Sequence, residues 1–130
     1  MKIGLYSPFL AENIGGGERY LLTVAECLLA EHQVDLILPY IPAGLKEKFV
    51  NNFNLKLDKL NLVVGPFAPG HSAWERARFT AGYDIFYYMT DASFFIPRAK
   101  LNAVHFMIPF NFKPGLWQKF KLSFWPIKVA

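Results

Sequence analysis

The sequence contains a single cysteine, Cys27, among its 130 residues, which excludes an internal disulfide framework and favours a reducing, cytoplasmic location. No apolar run approaches the roughly 20 residues that a membrane-spanning helix needs. Ser7 and Pro8 interrupt the apolar stretch behind Lys2, so we expect no signal peptide. The three histidines do not combine with Cys, Asp or Glu at the spacing of a metal site, and we predict no metal.

Acidic residues are absent from positions 96–130, although this segment contains six of the 14 lysines and arginines. All ten acidic residues lie in the first 95 positions, beside the other eight basic ones. The formal net charge of +4 therefore arises from the carboxy-terminal segment.

The chain does contain an alternation of strand-like and helix-like segments. Short apolar runs predict five strands, at Lys2–Ser7, Val34–Leu38, Leu60–Val64, Asp84–Met89 and Leu101–Met107. Apolar residues spaced by three and four predict helices at Tyr20–Ala30, Leu45–Phe53 and Ser72–Ala81. We expect Ser72 and Glu75 to form a capping box, and Asp91–Arg98 to form a short turn or helix.

This alternation predicts one α/β domain over residues 1–130, a Rossmann-like doubly wound, mainly parallel sheet with right-handed crossovers. Ligands of such sheets bind outside the carboxyl ends of the strands. Two features fall at that edge. One is the run from Asn13 through Gly15, Gly16 and Gly17 to Arg19, after the first strand, and the other is His105, near the end of the fifth.

A glycine run between a strand and a helix is typical of a phosphate site, because backbone N–H groups and the helix dipole favour an anion there. A P-loop is excluded because Glu18, not lysine, follows Gly17. A nicotinamide fingerprint is disfavoured because Gly-x-x-Gly is absent and the second strand ends without an acid. Two interpretations remain: a long loop that lets a ligand approach, or a flexible turn that merely permits left-handed backbone angles.

The first strand and glycine run, residues 2–9 and 15–19, resemble the start of retaining glycosyltransferases of the GT-B fold, family 4 of the glycosyltransferases. The resemblance continues through Tyr83-Asp84-Ile85 and Thr90-Asp91 to the segment 102–106 with Pro109. These short motifs follow the family's order over most of the chain. The chain is similar to the amino-terminal, acceptor-side half of that fold.

The resemblance implies a hexosyltransferase of glycan biosynthesis that takes a UDP- or GDP-linked sugar, without a further cofactor. It places Gly15, Gly16 and Gly17 at the donor diphosphate, Glu12 and Asn13 on the acceptor side, and His105 beside the transferred sugar as the catalytic residue. The family's nucleotide-sugar domain contains an E-x7-E motif, and 130 residues are too few to include it. We therefore expect a truncated amino-terminal domain that is inactive alone. An ordinary strand role for His105 stays open.

Glu18 and Glu26 match E-x7-E formally, but they lie in the first predicted helix of the acceptor-side domain. We interpret Glu18 as a partner of the helix dipole and Glu26 as a solvated residue. His32 and His71, at helix ends, are interpreted as structural, and Cys27 as a small buried hydrophobe.

Aromatic residues and lysines interleave over residues 112–128. This pattern is typical either of a core helix with lysines at its margin or of an interfacial segment. The second interpretation predicts peripheral contact with the cytoplasmic membrane face and a sugar or lipid-linked acceptor. Nucleic acid binding is disfavoured because neither the glycine run nor the fold pattern supports it.

A second class of function also fits the pattern. A non-catalytic doubly wound module that binds a phosphorylated ligand or a protein partner needs the same glycine run and the same sheet. Glycosyl transfer and non-catalytic binding are therefore both carried forward, with glycosyl transfer preferred on the resemblance.

Overall fold

A computed structural model of the protein describes residues 1–10, 15–90 and 95–106. These residues form five strands and three helices. In chain order the elements are β1 (Lys2–Tyr6), α1 (Gly16–Leu28), β2 (Gln33–Leu38), α2 (Leu45–Phe53), β3 (Asn61–Val64), α3 (Ala73–Thr80), β4 (Ile85–Thr90) and β5 (Leu101–Phe106).

The strands form one parallel sheet in the order β3-β2-β1-β4-β5. From β1 the chain builds outward to β2 and β3, and then returns to the other side of β1 for β4 and β5. The strand order therefore reverses between β1 and β4, which is the position of the ligand crevice in doubly wound sheets. The predicted Rossmann-like α/β fold is confirmed.

Helices cover both faces of the sheet. On one face, α1 and α2 pack Leu21, Leu22 and Phe49 against β1 and β2. On the other, residues near α3 form an aromatic cluster around the strands: Tyr6, Phe67, Phe79, Tyr83, Phe86, Tyr88 and Phe95. Apolar area removed from water on both faces stabilises the sheet, since each buried large side chain contributes about 1.5–3 kcal/mol.

The first helix begins four residues earlier than predicted. Gly15 is the extended N-cap residue, with φ −130°, and Gly16 and Gly17 form the first turn of α1. Glu18 allows this start because its Oε2 accepts the N–H of Gly15 at 2.8 Å. The predicted start of the helix at Tyr20 is therefore wrong, and Gly16 and Gly17 belong to α1 rather than to the loop before it.

The capping box of α3 is confirmed. Ser72 is the N-cap residue, its Oγ accepts the Glu75 N–H at 3.2 Å, and Glu75 Oε2 accepts the Ser72 N–H at 2.6 Å. Because these bonds satisfy free donors of the first turn, they fix where the helix begins.

Cys27 is exposed, so its interpretation as a buried hydrophobe is wrong. Ala25 lies on the buried face of α1, and a residue two positions later is rotated by about 200° around the helix, to the solvent side.

Residues 95–98 form neither helix nor strand. The rest of the predicted turn, residues 91–94, and the whole segment 112–128 lie outside the described residues. Among the helices of the described ranges, none is long and apolar enough to cross a bilayer.

Candidate functional site

The candidate site lies at the carboxyl edge of the sheet, where strand order reverses between β1 and β4. Because β1 and β2 are parallel, α1 runs back across the sheet, and its amino terminus stands at the edge where β1 ends. The fifth strand ends at the same edge, since β5 is parallel to β4. The topology thus brings the glycine start of α1 and His105 to one edge.

Left-handed backbone angles do not explain why glycine occupies positions 15, 16 and 17. In the described part of the chain, only Gly44 and Gly70 among the glycines have positive φ. A Cβ built at Gly16 would meet no described atom within 4 Å, so packing does not require glycine there either. Neither backbone angles nor packing explains these glycines, and no described atom covers Gly16 at the first turn of α1.

Glu18 places the chain's own carboxylate at this helix start. Its side chain is only 6% exposed, and Oε2 accepts the Gly15 N–H. The N–H groups of Gly16 and Gly17 belong to the first turn and have no acceptor within the helix, because helical hydrogen bonds begin with Arg19 N–H to Gly15 O. An incoming anion would therefore meet Gly16 and Gly17 beside an occupied Gly15.

His105 faces α1, as strand alternation predicts. It pairs in register with Met89, which packs in the cluster under α1, whereas its neighbour Val104 packs in the aromatic cluster on the opposite face. The ring centroid of His105 lies 5.1 Å from that of Tyr20, in the second turn of α1. Through Tyr20, the structure brings His105 next to the helix that the glycines begin.

Tyr87 completes this group from the neighbouring strand. Its ring centroid lies 6.4 Å from that of His105, on the side where Tyr20 also stands. Burial, and then the neighbouring Tyr20 side chain, raise the pKa of the Tyr87 hydroxyl well above its usual range, so this hydroxyl stays protonated. Tyr20, Tyr87 and His105 are called the tyrosine–histidine cluster below.

The sequence analysis missed Tyr20 and Tyr87 as members of the site. Tyr20 is four residues after Gly16 and therefore lies on the same face of α1, one turn further along. That spacing could have identified Tyr20 once the helix start was placed at Gly16. For Tyr87 the signal was its place on the same face of β4 as Met89, but pairing with β5 was needed to locate His105 beside it.

The other candidate residues are distributed as follows. Glu12 and Asn13 lie outside the described residues. Glu26 Oε1 accepts the Lys56 N–H at 2.6 Å, so Glu26 ties α1 to the segment before β3 rather than lying free in solvent. His71 Nδ1 lies 3.6 Å from Glu75 Oε1 beside the α3 cap, which supports its structural interpretation.

The described groups of the site suit an anion rather than a metal ion. Within residues 1–10, 15–90 and 95–106, no three His, Cys, Asp or Glu side chains converge as metal ligands. The described groups offer backbone N–H donors, an imidazole and phenol hydroxyls, which suit an anion and a hydroxylated substrate.

Comparison of the chain with protein-family models, with curated proteins and with solved structures found no match.

Proposed function

We propose that this chain is the acceptor-side domain of a retaining glycosyltransferase that uses a UDP- or GDP-linked sugar. The observation that supports this most directly is the contact between His105 and Tyr20, which joins the end of β5 to the glycine-initiated helix at the reversal of strand order. A donor diphosphate and a transferred sugar are neighbouring groups of one molecule. A helix N-terminus of the kind that binds phosphate, with an imidazole one helical turn away, matches that arrangement.

In the proposed reaction, the first turn of α1 stabilises negative charge on the leaving diphosphate. The N–H groups of Gly16 and Gly17 and the positive end of the helix dipole supply this stabilisation, which increases as the sugar–phosphate bond breaks. His105 contacts the sugar hydroxyls and fixes the orientation of the ring. The acceptor hydroxyl then attacks on the face from which the diphosphate leaves, and a diphosphate oxygen takes the acceptor proton.

We further propose that the donor domain with its E-x7-E motif belongs to the full-length protein. Peripheral membrane contact through residues 112–128 and a lipid-linked acceptor remain part of the proposal, as does a cytoplasmic location. The membrane contact and the lipid-linked acceptor are suggested by the charge and aromatic pattern of the carboxy-terminal segment. The donor domain is suggested by the family resemblance, and the cytoplasmic location by the single cysteine.

The test is glycosyl transfer by the protein expressed from its full reading frame. A panel of UDP- and GDP-sugars is offered with membrane extracts and soluble glycans as acceptors, and released nucleoside diphosphate and labelled product are measured. We expect one donor to support turnover, and Gly16→Val to reduce it by at least tenfold, because the branched side chain covers the first-turn N–H groups. Residues 1–130 alone should not turn over.

Gly82→Ala is the matched control. Gly82 lies at the opposite edge of the sheet, and a Cβ there would have only an ordinary contact of 3.6 Å with the Phe79 carbonyl oxygen. Its turnover should equal that of the unmodified protein. Full turnover in Gly16→Val, or turnover by residues 1–130 alone, would contradict the proposal.

One observation favours the second class of function. Glu18 already places a carboxylate 2.8 Å from the Gly15 nitrogen, which supplies part of what a ligand phosphate would supply. A non-catalytic module that binds a protein partner through the same edge would show no donor turnover in any acceptor mixture. It would also bind neither nucleoside diphosphate nor sugar nucleotide in calorimetry.

A further inference from the structure

Tyr20 is the large apolar side chain of α1 that is exposed. Leu21 and Leu22, which follow it, are fully buried against the sheet, whereas Tyr20 is 47% exposed. A ring that stays half in water gains only part of the stabilisation that burial of apolar area provides. Packing among the described residues therefore does not account for an aromatic ring at position 20.

The exposed ring of Tyr20 stands at the candidate site. Tyr20 follows Gly16 by four residues, so both lie on the same face of α1, about 5.4 Å apart along its axis. Side chains of a helix lean toward its amino terminus, here toward the turn that Gly16 begins. The ring centroid of Tyr20 also lies 5.1 Å from that of His105, with the two rings tilted by 33°. Tyr20 is therefore a neighbour of both the helix start and the imidazole.

An exposed aromatic ring beside an imidazole has the chemistry of a sugar subsite. A hexose has apolar C–H faces and a rim of hydroxyl groups; aromatic rings contact the faces, and polar side chains bond the hydroxyls. Tyr20 supplies the ring, and the half-buried His105 supplies nitrogen atoms that can bond hydroxyl groups. Tyr87, whose ring centroid lies 6.4 Å from that of His105, adds a second ring on the β4 side.

A nucleobase would also stack on a tyrosine, but the spacing along α1 favours the sugar. In a sugar nucleotide the transferred sugar is bonded directly to the diphosphate, whereas the ribose separates the base from it. The first turn of α1, where we place the diphosphate, is one helical turn from Tyr20. A ring at that distance meets a group bonded to the diphosphate rather than the more distant base.

We propose that Tyr20 is the aromatic platform on which the transferred sugar of the donor stacks, with His105 bonding its hydroxyl groups. The inference rests on the proposed function, because the diphosphate determines which sugar reaches the ring. Tyr20 should accordingly contribute to the binding of the hexose and nothing to the binding of UDP or GDP.

The test compares the affinity of each nucleoside diphosphate with that of its sugar nucleotides. UDP, GDP and a panel of UDP- and GDP-hexoses are titrated by calorimetry into the protein expressed from its full reading frame, and the ratio of dissociation constants gives the contribution of the sugar. We expect Tyr20→Leu, which removes the ring and keeps a good helix former, to lower this contribution about five- to tenfold. The Kd of the diphosphate alone should not change. Tyr20→Phe and Tyr20→Trp keep a ring and should stay within about twofold of the parent.

Tyr40→Leu is the matched control. Tyr40 is 49% exposed, nearly as much as Tyr20, and it follows β2, on the opposite side of β1 from β5. The same substitution there should leave both dissociation constants unchanged. Thermal unfolding of each variant accompanies the titrations, and Tyr20→Gln replaces Tyr20→Leu if the latter is poorly folded.

An equal sugar contribution in Tyr20→Leu and the parent would overturn the platform and leave the donor diphosphate site in place. A parent that binds no sugar nucleotide more tightly than its nucleoside diphosphate would overturn it as well. Failure of every nucleotide to bind would contradict the proposed glycosyl transfer, and methyl glycosides would then test Tyr20 directly. Saturation transfer from the protein to their ring protons, lost in Tyr20→Leu, would support a sugar platform. Transfer that is absent from the parent, or unaffected by the substitution, would overturn it.

Discussion

The two edges of the parallel sheet are built from different chemistry. At the amino-terminal edge, charged and polar groups bond one another: Asp35, only 4% exposed, accepts from Tyr83 Oη at 3.0 Å and from Asn61 Nδ2 at 3.1 Å, and Asp84 Oδ2 accepts the Lys2 backbone N–H at 2.8 Å. At the carboxyl edge stand Gly16, whose Cβ position meets no described atom within 4 Å, and the tyrosine–histidine cluster.

This difference leads us to expect that the amino-terminal edge determines stability and the carboxyl edge determines ligand binding. At the amino-terminal edge the polar groups are satisfied within the chain, and across the described residues every buried side-chain nitrogen or oxygen has a hydrogen-bond partner. A polar group whose hydrogen bonds are made within the chain is not available to bind a ligand. At the carboxyl edge, the N–H groups of Gly16 and Gly17 have no acceptor within the helix, and the His105 imidazole is half-buried. Substitutions should therefore change unfolding at the first edge and binding at the second.

The largest effect on stability is expected for Asp35→Ala. Removal of the carboxylate leaves the buried Tyr83 hydroxyl and the Asn61 amide without their acceptor, so the free energy of unfolding should fall by roughly 2–4 kcal/mol. His105→Ala, at the other edge, should lower it by about 1 kcal/mol or less and abolish transfer. Urea unfolding of both variants measures the contrast.

Lys2→Met is the control for charge at the amino-terminal edge. Lys2 Nζ lies 3.7 Å from Asp35 Oδ2, but the lysine side chain is 44% exposed, so the loss of this ion pair should cost under about 1 kcal/mol. A cost as large as that of Asp35→Ala would show that the charge pair, and not the satisfied hydrogen bonds, stabilises this edge.

A smaller and opposite pair of effects is expected from alanine at two glycines. At Gly4 a Cβ would lie 2.9 Å from Phe86 Cδ2 and 3.0 Å from Tyr83 Cδ1, so Gly4→Ala should destabilise the fold by roughly 1–3 kcal/mol. Gly16→Ala should stabilise it by up to about 1 kcal/mol, because alanine favours the helix and the space is open. Thermal unfolding should move in opposite directions.

Gly16→Ala also tests whether Gly16 binds a ligand or has only a structural role at the helix start. If the glycine binds a diphosphate, the more stable variant should be the less active one. A variant that gains stability and keeps full transfer would remove Gly16 from the proposed site.

Sequence periodicity predicted the elements of this fold well because the strands have apolar cores and clear stops. The run from Val34 to Leu38 is wholly buried, and Pro39 ends it, so its strand could be found from the letters alone. The start of α1 could not, since glycine is a poor helix former and its placement depends on Glu18 reaching back to the Gly15 N–H.

The candidate site was only partly predictable for a related reason. The glycine run and His105 were found because each has a local pattern, at a helix start and near a strand end. Tyr20 and Tyr87 have no such pattern, since their ring contacts with His105 depend on the packing of α1 over the sheet and on the β4–β5 register. The prediction for Cys27 was wrong for a similar reason, because the apolar residues around it in sequence are buried or half-buried while its own face of α1 is exposed.

The smallest effect is expected from Asp84→Asn. Lys100 Nζ, 2.6 Å from Oδ1, and then the Lys2 N–H hold the pKa of the Asp84 carboxyl below its ordinary value. A lowered folded-state pKa adds stability above the ordinary pKa of about 3.9, and this stability disappears as pH falls through the folded-state value. The parent should therefore exceed Asp84→Asn slightly in urea midpoint at pH 7, and the two should converge as the pH falls below the folded-state pKa. A gap that persists in the most acidic range would mean that packing, not charge, accounts for the role of Asp84.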